Sequence, residues 1–213
     1  IDFIIKDLSA KLVLSKKKVL ITAGPTYEPI DPVRFIGNYS SGKMGYHLAM
    51  QAAENGAEVT LIMGPSDLKA DHTNVLQIDV KTAEDMQRGV KTHFKDTDIA
   101  IFSAAVSDYK PQALETQKIK KNDNNWDISL SKTSDILLEI SQKKKENQIL
   151  VGFALETENE LASAKEKLIN KNLDMIVLNS LNDTGAGFGY DSNKITIIEK
   201  DNKIEEFELK HKR

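Results

Sequence analysis

The chain has 213 residues with 29 Lys and Arg against 32 Asp and Glu, a net charge of -3, 40% hydrophobic and 29% charged content, a composition that excludes a largely disordered chain. It has no cysteine, which excludes disulfides, thiolate metal sites and thiol nucleophiles, and its near-neutral balance offers no broad cationic footprint for nucleic acid. No apolar run approaches the ~18 residues of a membrane span, and the opening IDFIIKDLSAK lacks the zones of a signal peptide, so a cytoplasmic protein without a membrane partner is expected.

At roughly 150 residues per domain, the length suits one α/β domain with extensions. Residues 1–17 begin at Ile1 and run into Lys16, Lys17 and Lys18; they read as a linker from a preceding domain, with the domain proper spanning 18–213. KVLITAG reads as a buried strand, MGYHLAMQAAENG as a helix closed by Gly56, and AEVTLIMGP as a second strand, together a βαβ unit. VLQIDV is a third strand. TAEDMQRGVKTHF is a helix capped by Thr82 with Ala83, Met86, Val90 and Phe94 on one face, and DIAIFSAAV is a fourth strand. Then come a helix at SDILLEISQKKK, a strand at ILVGFAL, a helix at ELASAKEKLINKN and a strand at MIVLN. This alternation requires a parallel sheet with helices on both faces. NKITIIEKDNKIEEFEL adds a C-terminal β-hairpin around Lys200 to Lys203.

Open parallel sheets bind ligands at the carboxyl ends of their strands, which directs attention to the loops after Ala23, Met63, Ala105, Leu155 and Asn179. The first, GPTYEPIDPVRFIGNYSSGKMG, far exceeds the ~2–6 residues of an ordinary βα connection. Pro25, Pro29 and Pro32 reduce its ordering entropy, and Gly37, Gly42 and Gly45 let backbone N–H groups approach an anion at a helix N-terminus. Gly37 to Lys43 satisfies G-x-x-x-x-G-K, but Met44 stands where a P-loop needs a hydroxyl, and the strand is too far upstream. The G-x-G-x-x-G of a dinucleotide site is absent, and the second strand ends in Met63-Gly64-Pro65 without the acid that would hold a ribose.

In Ser103-Ala104-Ala105-Val106-Ser107-Asp108-Tyr109 the small residues leave room for a flat ring or a sugar, and Asp108 can accept from ribose hydroxyls or, alternatively, cap a turn. Lys118, Lys120 and Lys121 form one cationic group; Lys167 and Lys171, at i and i+4 with Lys165 nearby, form another. Each alone reads as a solvated face; with the Gly-rich loop they suit a polyphosphate. The segment carrying Lys118, from Gln117 to Asn125, has almost nothing to bury and is expected to gain order when phosphates bind. Phe153 reads either as core or as a base-stacking ring. His47, His72, His93 and His211 show no ligand spacing, and Ser40 and Ser41 have no evident base.

These segments, with KIKK, VGFALET, KNLDMIVLN and GAGFGYDSNKITII, closely resemble the phosphopantothenoylcysteine synthetase domain of coenzyme A biosynthesis, in order, from Lys18 to the hairpin. The resemblance implies a Rossmann-like three-layer fold and a CTP-dependent ligase. The carboxylate of 4′-phosphopantothenate would attack the α-phosphate of CTP, releasing pyrophosphate, and the amine of L-cysteine would displace CMP from the acyl-cytidylate. Magnesium would accompany the triphosphate; its protein ligands are left unassigned. By motif position, Asn38 and Lys118 would be catalytic, with Arg34, Asn38 and Gly42 at the substrate or intermediate. Ser103, Ala104, Ala105, Asp108, Lys118, Ser134, Asp135, Ile136, Leu137, Phe153, Lys167 and Lys171 would bind CTP. Thr133 stands where many members carry a Pro before Ser134-Asp135. A homodimer, and fusion to a flavin-dependent decarboxylase domain in the bacterial bifunctional protein, would also follow. The alternatives are another nucleotide-binding enzyme on this fold and a catalytically silent nucleotide-binding module, since a fold alone does not fix function.

Overall fold

The computed structural model describes residues 12–120, 125–156, 158–180 and 191–212. Residues 1–11 of the expected linker, Lys121 to Asn124, and the GAGFGY stretch lie outside them. An eight-stranded sheet forms the middle layer. Its parallel strands are, in spatial order, β5 (Val75–Asp79), β4 (Glu58–Met63), β1 (Lys18–Ala23), β6 (Ile99–Phe102), β9 (Ile149–Glu156) and β10 (Met175–Ser180). Beyond β10, the expected hairpin continues the sheet antiparallel as β12 (Ile195–Glu199) and β13 (Ile204–Glu206).

Side-chain alternation along β1 separates two cores. Val19, Ile21 and Ala23 pack with Ala49, Ala52 and Ala53 of α1 (Lys43–Glu54) on one face. Leu20 belongs to the opposite core, with residues of α2 (Ala83–His93), α3 (Ile136–Ser141) and α4 (Glu160–Asn170). The structure is therefore the α/β, three-layer, helices-on-both-faces architecture read from the sequence. Thr82 caps α2 as expected: its hydroxyl accepts from Asp85 N–H while the Asp85 carboxylate accepts from Thr82 N–H.

Three segments differ from the sequence reading. The fourth strand stops at Phe102; the segment beyond it stays beside the continuation of β1, with Ser103 N–H donating to the Thr22 carbonyl and Ala105 N–H to the Gly24 carbonyl. Helix α3 ends at Ser141, as the following lysines turn outward to Glu139, Asp174 and the Lys95 carbonyl. The long first loop folds into an antiparallel ribbon of β2 (Tyr27–Pro29) and β3 (Phe35–Gly37), on which Tyr27 stacks against Phe35 at 3.9 Å. A second ribbon pairs β7 (Tyr109–Pro111) with β8 (Leu130–Lys132). Their prolines and short lengths leave no period for a sequence pattern to report. Leu12 to Lys17 pack beside the α1–β4 turn, where Leu14 N–H donates to the Asn55 carbonyl.

Helix α1 starts where it does because Gly42, at φ 77°, takes the left-handed conformation before the first turn. Gly45 then brings the helix against the sheet: a Cβ there would sit 2.5 Å from Ser103 Oγ and closer still to Ala23 Cβ. Ser103 Oγ cannot retreat freely, since it donates to the Thr22 carbonyl at 2.7 Å. Gly45→Ala gains helix propensity of up to ~1 kcal/mol but overpacks this contact by about 1–3 kcal/mol or more. We expect a net loss of about 1–2 kcal/mol, seen as a melting temperature roughly 2–8 °C lower; an unchanged or raised value would show that α1 can move off the sheet.

Candidate active site

The chain leaves β1 toward α1 on one face and leaves β6 toward α3 on the other, so a crevice opens between the carboxyl ends of these neighbouring strands. Two adjoining cavities fill it. The larger, about 530 Å³, is lined by Thr22, Ala104, Asp108, Lys132, Thr133, the 134–137 segment, Phe153, Lys167 and Lys171 among others. The smaller, about 340 Å³, lies over the start of α1 and is lined by Asn38, Ser40 to Gly45, Ser103 to Ala105, Asn179, Asn193 and Lys212 among others. Ala104, Val106, Asp108, Phe153 and Lys167 line both.

Backbone pairing at the ends of β1 and β6 shapes the shared wall. Pro25 and Ala105 form an isolated parallel bridge, and Thr26 holds Ser107 through its hydroxyl and its carbonyl. Thr133 donates from its hydroxyl to the Ser107 carbonyl and from its backbone N–H to the Asp108 carbonyl. Asp108 is thus fixed through its main chain while its side chain is exposed. Among the described residues no group hydrogen-bonds its carboxylate, so the turn-capping alternative has no bond to support it. The acid that does cap a helix is Asp135, whose Oδ1 accepts from Leu138 N–H at 3.0 Å.

The two cations of the larger cavity differ. Lys171 pairs with Asp135 at 2.8 Å. Burial pushes the Asp135 carboxyl up, but Lys171, the Leu138 N–H and Lys167 outweigh it and hold the carboxyl below its ordinary value. Lys167 has no carboxylate at hydrogen-bond distance among the described residues; its Nζ donates to the Phe153 carbonyl at 2.7 Å. Burial, then repulsion from Lys171, lowers its pKa, with Glu156, Asp135 and Asp108 offsetting only part of the shift. This wall is therefore cationic and incompletely neutralised, a setting that favours an anion.

In the smaller cavity, the N-terminus of α1 has no side-chain cap, so its first N–H groups face the cavity with the positive end of the helix dipole. Asn38 hangs over it, its Nδ2 donating to the Ala105 carbonyl at 2.9 Å. Lys43 is paired with Asp191 at 2.6 Å. Burial and nearby Lys43 lower the Lys212 pKa, partly offset by Asp191.

The structure thus brings together Asn38, Gly42, Ser103, Ala104, Ala105, Asp108, Ser134, Asp135, Ile136, Leu137, Phe153, Lys167 and Lys171 around one crevice. Arg34 and Lys118 line neither cavity. Arg34 lies beneath the β2–β3 turn, with its Nη2 on the Ile119 carbonyl at 2.8 Å; Lys118 and Lys120 are exposed. None of the four histidines lines either cavity. Sequence reasoning missed Asn179, Asn193 and Lys212. Lys212 arrives only because β14 (Lys210–His211) pairs with β11 (Ser192–Asn193), a contact of two residues per strand that carries no local signal.

Residues 14–213 match the family described as the DNA/pantothenate metabolism flavoprotein C-terminal domain. The chain belongs to this family. The chain is 51% identical, over its whole length and 59% of the relative's, to a cysteine/cysteine sulfinic acid decarboxylase of an unknown prokaryotic organism. It is 49% identical, over 88% of its length and 46% of the relative's, to the coenzyme A biosynthesis bifunctional protein CoaBC of Bacillus subtilis (strain 168). The chain therefore spans about half the length of the curated relatives it matches. A crystal structure of the C-terminal domain of a coenzyme A biosynthesis bifunctional protein CoaBC superposes with a TM-score of 0.79 at 41% identity, covering 94% of this chain and 90% of that one.

The depressed pKa of Lys167 makes its burial pH-sensitive. Between its folded value and its ordinary 10.5, the unfolded chain binds more protons than the folded one, so this group's contribution to stability rises with pH across that window. Urea unfolding up to pH 10.5 should therefore show the parent chain gaining stability relative to its Lys167→Met variant as pH rises; parallel profiles would assign Lys167 an ordinary, solvated environment.

Proposed function

We propose that this chain is the CTP-dependent ligase that joins 4′-phosphopantothenate and L-cysteine in coenzyme A biosynthesis. One observation carries the reading: an incompletely neutralised lysine wall and an uncapped helix N-terminus line two cavities that share Asp108 and Phe153. The relatives named as coenzyme A biosynthesis bifunctional proteins support it.

In this reading the cytosine ring lies against Phe153 and the small side chains Ala104 and Ala105, and Asp108 accepts from ribose hydroxyls. The phosphates lie between Lys167 and the α1 N-terminus. An oxygen of the phosphopantothenate carboxylate bonds to the α-phosphorus, the bond from that phosphorus to the bridging oxygen breaks, and pyrophosphate leaves with the electron pair. The cysteine amine then bonds to the acyl carbon, the acyl carbon–oxygen bond breaks, CMP leaves, and the nitrogen loses a proton to solvent. Neither step needs a side-chain nucleophile, because positioning and charge stabilise the transition states. Asn38 orients the acyl-phosphate with its amide, and Lys118 brings a charge to the departing pyrophosphate. Among the described residues no cluster of three His, Cys, Asp or Glu side chains could cage a metal. Magnesium usually binds through substrate phosphates with one or two carboxylates, so it would arrive on CTP.

The reading also includes a homodimer, and a full-length protein in which this domain is fused to a flavin-dependent decarboxylase. The ribbons support the first: Val33, Phe35, Tyr109 and Leu130 expose 61%, 49%, 45% and 41% of their surface, apolar side chains that a second copy would cover in this reading. The bifunctional names of relatives about twice as long as the match support the second.

A second reading follows the relative named as a cysteine/cysteine sulfinic acid decarboxylase, of which 59% is matched. The two separate in one experiment. With CTP, phosphopantothenate and cysteine, the ligase releases pyrophosphate and forms the amide; carbon dioxide released from cysteine or cysteine sulfinate, with no pyrophosphate, would overturn the proposal.

CTP at ~100 times its dissociation constant should stabilise the chain by about 2.7 kcal/mol over the free protein, more than ATP, UTP or GTP at the same concentration. Asp108→Ala, which removes a charged acceptor worth about 1.5–3 kcal/mol, should weaken CTP binding roughly 10- to 150-fold. Equal shifts from the four nucleotides would sink the claim of base selectivity.

Lys118→Gln should slow pyrophosphate release about 10²–10³-fold without accumulating intermediate. Asn38→Asp adds repulsion beside the acyl-phosphate but leaves the activating cations, so it should release pyrophosphate and accumulate acyl-cytidylate with cysteine present. Mass spectrometry of quenched reactions distinguishes these patterns; their reversal would overturn this division of labour.

A further inference from the structure

The tip of the β2–β3 ribbon holds a buried acid that lines neither cavity. The side chain of Asp31 has no exposed area. Its Oδ1 accepts the backbone N–H groups of Val33 and Arg34, each at 2.8 Å, closing the turn between the ribbon's strands. Its Oδ2 reaches a different part of the chain, accepting the N–H of Ile119 at 3.2 Å and facing Arg34 Nε at 3.5 Å. Arg34 completes the grip by donating from Nη2 to the carbonyl of the same Ile119. Its guanidinium also lies 4.9 Å from the ring centroid of Trp126, and Glu115 N–H donates to the Ile30 carbonyl on the same turn.

The turn alone does not explain a carboxylate here. Asn closes the same kind of side-chain turn as Asp through one oxygen, without the cost of burying a charge. What the second oxygen adds is an acceptor for Ile119 and a countercharge for Arg34. Burial pushes the Asp31 carboxyl up, but the Val33, Arg34 and Ile119 N–H groups and the Arg34 charge hold it below its ordinary value, so it is ionised near neutral pH and the grip is charge-assisted on both sides.

We infer that Asp31 is a positioning residue: together with Arg34 it fixes the peptide of Ile119, and so the backbone from which the neighbouring Lys118 projects. The inference rests on the reading in which Lys118 acts on the departing pyrophosphate. Asp31 touches no substrate in it. It determines where a flexible lysine on an otherwise exposed stretch begins, which limits the volume its ammonium searches.

Asp31→Asn in the full chain is the direct test, with Asp31→Ser as a second variant that can still close the turn through its hydroxyl. Amide exchange at Ile119 should quicken about tenfold or more, and the fluorescence of Trp126, the sole tryptophan, should change as Arg34 loses its countercharge. The maximal rate of pyrophosphate release with CTP and phosphopantothenate should fall about tenfold or more, while the thermal shift produced by CTP persists. In the Lys118→Gln background the Asp31→Asn change should have no further effect on that rate, the mark of residues acting as a unit. Multiplying effects of the two substitutions, or an Ile119 amide that exchanges at its original rate in both Asp31 variants, would overturn the inference. If the parent chain releases no pyrophosphate, the ligase reading fails, and amide exchange and Trp126 fluorescence still decide whether Asp31 anchors Ile119.

Discussion

Two adjacent parallel strands, β1 and β6, send their chains to opposite faces of the sheet, and the crevice between their ends is the constraint from which the rest of the site follows. A crevice of this kind is useful only if polar backbone can be brought to its edge. Gly45 does this by letting α1 lie against Ala23 and Ser103 without an intervening Cβ, so the first turn of the helix opens directly onto the strand ends. The segment from Ser103 to Ser107 then runs beside the continuation of β1 through hydrogen bonds to Thr22, Gly24 and Thr26, leaving the Asp108 carboxylate projecting into the same space.

Charge in the crevice is arranged at some expense to the fold. Lys167 is desolvated and close to Lys171, and the nearest acids only partly compensate; a side chain chosen for stability alone would be apolar there. Lys144 with Asp174 and Arg88 with Asp85 are cations outside the crevice that meet a carboxylate directly. Lys167 is set apart by being buried with only a carbonyl as its hydrogen-bond partner among the described residues.

The two ribbons are departures from the doubly wound plan and carry the features that the core cannot. They grow from the loops after β1 and β6, so what they hold moves with the site. The β2–β3 ribbon is fastened to the start of α2 by the buried Glu28 carboxylate, which accepts from Ala83 N–H. At its tip, Asp31 and Arg34 tie it to Ile119. Exposed apolar side chains line the same ribbons, which also carry the anchor of Ile119.

What the sequence by itself determined was whatever repeats over a few residues. The alternation of β1, the amphipathic α2 with its Thr82 cap, the parallel βα order and the antiparallel hairpin of β12 and β13 are all local, because burial of one face imposes a period. The motif segments also identified most residues of the crevice, including Asn38, Asp108, Phe153, Lys167 and Lys171. Tertiary structure decided which of those groups are available. Asp108 and Asp135 are equivalent as letters, yet one carboxylate is unbonded among the described residues and the other caps α3 and pairs with Lys171. Arg34 and Lys118 read as site residues, but Arg34 is committed to Asp31, Ile119 and Trp126, across 85 positions or more for the last two. Lys212 enters from the far end of the chain. Hydrogen bonds and ion pairs between distant segments have no period, and the energy that selects them exists only once the sheet has brought their partners within reach.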